Sequence, residues 1–323
     1  MNEDGIRVTQ IDWMAAVPSL RLVEAISLAV SLRVMTPVIL LILVSVFLDI
    51  PDTGSHRVSV PDSVSNLLEV PRLKLPDTIR NSLVVPFARH ASMDVVKMVR
   101  SAVWILFLGF CGVAAIRAAG CRFSTGTGPG IFASGRHSLK SWKSIFISTL
   151  LCGILLALFW VMFRVLCWTG DRTHIGITAA TSMLYLIVCL VLGFGWLLSL
   201  AAIAIDRCDG AEALSRGICY VLSRWQRLVV YATVCWLMLM LSDFVLSTLT
   251  ANAYSLALGK QTSLDSVMTD ASHISLLKSL EFFTELYHLS LFFCEIVIVY
   301  VLLRNVEDGV SLQEIDGGRV SNT

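Results

Sequence analysis

Charge is what this chain lacks most. Asp, Glu, Lys and Arg make up 15% of its 323 residues, against about 25% in an ordinary soluble domain. A solvated outer surface cannot be built from so few charges, which excludes a soluble globular enzyme. The net charge is +1, so there is no basic excess of the kind that holds nucleic acid, and no such partner is expected. Proline is scarce too, except in one place. Five of the eight fall at 51, 61, 71, 76 and 86, which excludes a continuous helix there and points to extended chain. The nine cysteines are odd in number and include no C-x-x-C, so neither a disulfide framework nor a zinc site is expected. The chain also lacks H-E-x-x-H, G-x-S-x-G and a phosphate-cradling loop, since "STGTGPG" at 124–130 has no following Lys. No metal or cofactor is expected.

What fills the space is apolar. Hydrophobic residues are 56% of the chain, gathered in blocks long enough to cross a hydrocarbon core, which takes about 20 helical residues. The fold class expected is all-α, a polytopic helical membrane protein with about six transmembrane helices plus amphipathic interfacial helices. The plan reads as a cytoplasmic segment with an amphipathic lead-in helix (1–33), a first span (34–50) and a proline-rich extracytoplasmic segment (51–100). A second span (101–118), a basic connection (119–143), a third span (144–166) and a fourth (181–205) follow. An interfacial helix (206–227), a fifth span (228–250), an outer loop (251–285), a sixth span (286–303) and a tail (304–323) complete it. Cys111, Cys152, Cys189, Cys235 and Cys294 fall inside these spans, where cysteine acts as a small apolar residue.

Orientation follows from where the cations lie. The second-to-third connection carries Arg117, Arg122, Arg136, Lys140 and Lys143 with no acid, and the fourth-to-fifth adds Arg207, Arg216, Arg224 and Arg227. Cytoplasmic loops retain positive charge, so both termini are expected inside, in the bacterial cytoplasmic (inner) membrane. The segment from 51 to 100 opposes this with seven basic residues, but long loops weigh less in that rule. Both basic connections re-enter the membrane after a tryptophan flanked by cations, "LKSWKSIF" at Trp142 and "LSRWQRLV" at Trp225. That shared plan suggests two copies of a span, surface helix, span unit.

The stretch "AIAIDRCDGAEALSRG" at 201–216 breaks an apolar run with five charges. "DRCDGAEAL" resembles the start of the CDP-alcohol phosphotransferase signature, through Asp206, Asp209, Gly210 and Ala213. The later aspartate positions of that signature are Arg227 and Tyr231 here, and a hard cation needs several oxygen ligands. A helix start accounts for the same residues. Asp209 and Glu212 have the spacing of a capping box, and Leu214, Ile218, Val221, Leu222 and Trp225 form an apolar stripe. Asp206 and Arg207 then simply end the preceding span. The expectation is a helix lying in the interface, with Arg216, Arg224, Trp225 and Arg227 against the bilayer and anionic lipids at its cytoplasmic face. The same stripe would equally serve a protein partner or a second copy of the chain.

"DGAEALSRGICYVLSR" also resembles the cytoplasmic tag of a family of uncharacterised bacterial multi-spanning integral membrane proteins, roughly D-G-x-D/E-A-L-S-R-x3-Y-V-x2-R. The match comprises Asp209, Gly210, Glu212, Ala213, Leu214, Ser215, Arg216, Tyr220, Val221 and Arg224. "FCGVAAIRAA" at 110–119 approximates a second pattern of that family, with Cys111 in place of a glycine and Arg117 one position late. The resemblance implies architecture and localisation, and no activity.

Ionisable residues within spans are the remaining signal, since each costs about 2.5 to 3.5 kcal/mol near a membrane centre. Glu285, His288 and Glu295 recur on one face of the last span, Asp243 lies in the fifth, and Arg164 near the end of the third. At about 1.5 Å per residue, His288 and Asp243 both stand about 24 Å from the cytoplasmic boundary and Arg164 about 31 Å. Shared depth suggests one polar cluster. A non-enzymatic scaffold or assembly component is the function expected first, a small-solute or ion transporter using that cluster second, and a lipid-modifying enzyme third.

Overall fold

A computed structural model describes residues 18–47, 95–126, 128–169, 175–258 and 271–308, and among them there is no strand. Among the described residues a 3-10 turn, Pro18–Val23, precedes nine helices. These are α1 Glu24–Ala29, α2 Leu32–Phe47, α3 Val95–Thr125, α4 Ile131–Lys140, α5 Trp142–Thr169, α6 Ile175–Asp206, α7 Gly210–Ser223, α8 Trp225–Leu258 and α9 Ala271–Asp308. The proline-rich stretch expected to be extended lies outside the described residues as far as 94, as do 1–17 and 309–323.

Among the described residues, five helices contain stretches long and apolar enough to span a bilayer: Ser101–Ser124, Trp142–Val165, Ala180–Asp206, Trp225–Thr250 and Phe282–Glu307. The chain is an all-helical, multi-pass membrane protein. Every one of these helices overruns its expected span. Most of the expected 251–285 loop is helical, because α8 runs on to Leu258 and α9 starts at Ala271. The first span behaves differently. Arg21–Ala29 and Leu32–Ser45 reach membrane length only together, and they meet at 67°. The bend lies at Val30–Ser31 rather than at Pro37, and the Ser31 carbonyl accepts from Val34 and Met35 to start the second helix. The bend sets α1 off the axis of α2, and α1 packs against α9.

Packing divides the bundle into two zones. Every residue from Trp196 to Ile205 of α6 is buried, as is every residue from Phe293 to Leu303 of α9, and Val113–Ile116 of α3 with them. Such stretches are enclosed on all sides and need small residues for the helices to approach. Gly112 of α3 lies under the Phe293 ring, where a Cβ would come to 2.9 Å, and Gly120 meets Val297 at 3.0 Å. This enclosed half holds the C-terminal ends of α3, α6 and α9 and carries Arg117, Asp206 and Arg304, and is here termed the basic end. Away from it the helices are less covered. Little of the spanning stretches of α5 and α8 is buried, and Leu158 and Val161 on one, and Leu241 and Leu249 on the other, are exposed.

Candidate functional site

Two groups of polar side chains lie among the packed helices. The first centres on Asp206, the last residue of α6, whose side chain is 8% exposed. Tyr300 of α9 donates its hydroxyl to Oδ2 at 2.5 Å. Arg304, one turn further along α9, places Nη1 3.0 Å from Oδ1. Arg216 of α7 approaches Oδ2 at 3.6 Å and binds Glu212 on its own helix at 2.6 Å. Two carboxylates and two guanidiniums therefore balance. The Tyr220 ring packs 5.8 Å from that of Tyr300, and Arg224 binds Glu307 at 2.7 Å. Together these join α6, α7 and α9 at the basic end.

This arrangement corrects the reading of 201–227. Asp206 does end α6, with Arg207 turning the chain through a left-handed φ of 57°, but it is also the hub of the node. Asp209 occupies the N-cap of α7 with extended backbone and makes no side-chain cap hydrogen bond. Glu212 faces Arg216 instead, so the capping box is not formed. The apolar stripe is real, yet it does not lie on lipid as a whole. Leu214 and Val221 are buried, while Leu222 and Trp225 are exposed. Gly210 and Gly217 explain how close α7 comes: a Cβ on Gly210 would fall 2.1 Å from the Ser144 carbonyl oxygen of α5, and one on Gly217 would fall 2.2 Å from that of Gly195 in α6. The helix is wedged against α5 and α6. Of the four residues expected against the bilayer, Arg216 and Arg224 are held by acids, and Trp225 and Arg227 stay exposed.

The second group is a seam between α8 and α9. His288 Nε2 stands 3.9 Å from Asp243 Oδ1, and Ser242 and Tyr287 beside them share a hydrogen bond. Two turns nearer the basic end, Glu295 lies within electrostatic reach of Cys235. The pairs 243 with 288 and 235 with 295 have nearly equal sums, as two antiparallel helices require. Glu295 is 3% exposed. Its Oε1, the Ser290 hydroxyl and His288 Nε2 have no hydrogen-bond partner among the described residues. Glu285 is half-buried one turn before His288 on the same helix. Arg164 does not join them. It is exposed on α5, which packs on α3, α6 and α7, whereas α8 packs chiefly on α9. Depth along a helix was readable from the sequence, but the side of the bundle on which each helix stands was not.

The two basic connections do share a plan. Helices α4 and α7 each precede a span that begins at an exposed tryptophan, Trp142 and Trp225. Each turns small residues inward, Ser134 and Ser138 in α4 and Gly210, Ala213 and Gly217 in α7. Ser138 donates to the Phe110 carbonyl at 2.6 Å, and Arg117 donates to that of Ala204 at 2.8 Å. His137 Nε2 faces the Ile203 carbonyl oxygen at 3.4 Å. Burial, and then the nearby Arg117 guanidinium, hold the His137 pKa below its ordinary value, against the opposing pull of that carbonyl.

Among the described residues no three of His, Cys, Asp and Glu are grouped to hold a metal ion. Asp206 and Asp209, the acids of the phosphotransferase-like stretch, are separately disposed: one is engaged by cations, the other is exposed at a helix start. No family model, curated protein or solved structure matches the chain. The chemistry of the site is therefore read from its own residues.

Proposed function

We propose that the chain is a non-enzymatic membrane component, a scaffold or assembly factor, held rigid at its basic end and offering α5 and α8 to other helices in the bilayer. The observation that carries this reading is how the charges of the node are used. Asp206 is engaged by Tyr300, Arg304 and Arg216, and Arg224 by Glu307, so these groups join helices rather than await a substrate. Positive charge gathered at that end supports a cytoplasmic orientation for it. The tag at 209–224 supports a bacterial inner-membrane setting by resemblance.

A second reading, transport of a proton or small cation, is favoured by Glu295, whose buried Oε1 has no hydrogen-bond partner among the described residues, which is unusual in a static core. Reconstitution separates the two. Proteoliposomes of wild type and of the Asp243→Asn, Glu295→Gln double variant are loaded with a pH-sensitive dye and given a proton gradient. The scaffold reading expects both to leak no faster than empty vesicles, with photo-crosslinks from Leu158 and Leu241 reaching a discrete polypeptide. Flux that is present in wild type and lost in the double variant would replace it with transport.

A further inference from the structure

We propose that the groove between α2, α3 and α4 is a binding site for one anionic phospholipid. Its volume is about 690 Å³, within the range of about 300 to 1,000 Å³ typical of small-molecule sites. Leu40 and Leu43 of α2, Phe110 of α3 and Phe132 of α4 give it an apolar wall, and its charged lining residues are Arg33 and Arg136, with no acid. Arg33 donates to the Gly128 carbonyl in the loop before α4, which fixes its guanidinium beside the groove. Neither arginine forms an ion pair with an acid among the described residues. The groove's own surface is almost wholly apolar, as an acyl chain requires, and the two arginines that line it are exposed, which leaves their guanidiniums to meet a phosphate in bidentate fashion.

Two further observations favour a lipid. Ser134 lines the groove, is 2% exposed, and its hydroxyl has no hydrogen-bond partner among the described residues, a donor that a phosphate or ester oxygen would satisfy. Helix α4 is also turned inside out. It buries Ser134 and Ser138 while Phe132 is 93% exposed and Leu139 62% exposed, which leaves two apolar side chains of the groove wall uncovered. Arg216 of α7 and Arg224 just after it do not compete for this role, because acids hold them. A zwitterionic headgroup has no net charge for two guanidiniums and would be held less well.

The test uses the full-length protein in detergent, titrated with phosphatidylglycerol or phosphatidylcholine of the same short chain length. Native mass spectrometry reads occupancy and thermal unfolding reads stabilisation. Wild type is expected to retain one phosphatidylglycerol at concentrations where phosphatidylcholine is lost, and to gain Tm with it. The Arg33→Gln, Arg136→Gln double variant should bind at least fivefold more weakly. Leu43→Trp, which fills the groove without touching charge, should also weaken binding and keeps the test decisive if the double variant does not fold. Lys143→Gln, at an exposed cation outside the groove, should bind as wild type does. Equal retention of the two lipids, unchanged binding by Leu43→Trp, or equal competition by glycerol phosphate without chains would each overturn the proposal.

Discussion

Asp206 and Glu295 are both acids buried where α6 and α9 run through the enclosed half of the bundle, yet their surroundings are opposite. Asp206 has a tyrosine hydroxyl and two guanidiniums around it, whereas Glu295 Oε1 has no hydrogen-bond partner among the described residues. The difference separates two uses of a polar group in an apolar fold. A buried charge met by opposite charge fixes which helices are neighbours; a carboxyl that meets none contributes nothing to that choice and stands open to a proton, a water or an ion.

The largest effect expected from breaking this contrast is on the paired side. Asp206→Asn leaves Arg304 and Arg216 without their shared carboxylate, and removing one member of a buried ion pair typically costs about 3 to 5 kcal/mol. Chemical unfolding in detergent, followed by helix signal, should show a loss of that order. Next is the wedge that brings Arg216 to Asp206. Gly217→Ala puts a Cβ where 2.2 Å separates it from the Gly195 carbonyl oxygen, and overpacking of this kind costs about 1 to 3 kcal/mol. Gly130→Ala, where a Cβ meets nothing within 4 Å, is the control that should unfold as wild type does.

A smaller effect tests the electrostatics of the basic end through pH. His137 is harder to protonate in the fold than in the unfolded chain, first because it is buried and then because of Arg117. Its contribution to stability is therefore complete above the ordinary histidine pKa of about 6.5. It falls as pH drops through that value, and levels off below the folded pKa. Unfolding midpoints measured from pH 8 to pH 5 should decline more steeply for wild type than for His137→Gln. The smallest effect is at Asp209. With no side-chain cap in place, Asp209→Ala should cost only a few tenths of a kcal/mol, below the roughly 1 kcal/mol that a formed cap contributes.

Much of the architecture was legible because it depends on local pattern. Apolar runs gave the spans, and the stripe at Leu214, Ile218 and Val221 gave a helix over 210–223. What that stripe meets was not legible, since apolar periodicity is the same whether a helix faces lipid or another helix. Gly217 held the missing information: it reads as a helix-weakening residue until a neighbouring backbone is known to lie against it. The Asp206 node was hidden for a related reason. Its partner Tyr300 lies 94 residues away, beyond any spacing rule, and the nearby Asp209 and Glu212 offered a local explanation first. Arg164 failed in the opposite way. Three residues at similar depth look like neighbours on one axis, but a bundle also has an angle around that axis, and span order alone does not give it.

The claim that Asp206 is a structural hub while Glu295 is not is tested most directly by comparing two double-mutant cycles in the same detergent. One crosses Asp206→Asn with Arg304→Gln, and the other crosses Glu295→Gln with Arg304→Gln. The account predicts that the first pair is strongly non-additive, the double variant recovering about 1 to 3 kcal/mol of the summed single losses, and that the second pair adds within about 0.5 kcal/mol. Additive losses for Asp206 and Arg304, or a larger loss from Glu295→Gln than from Asp206→Asn, would contradict it.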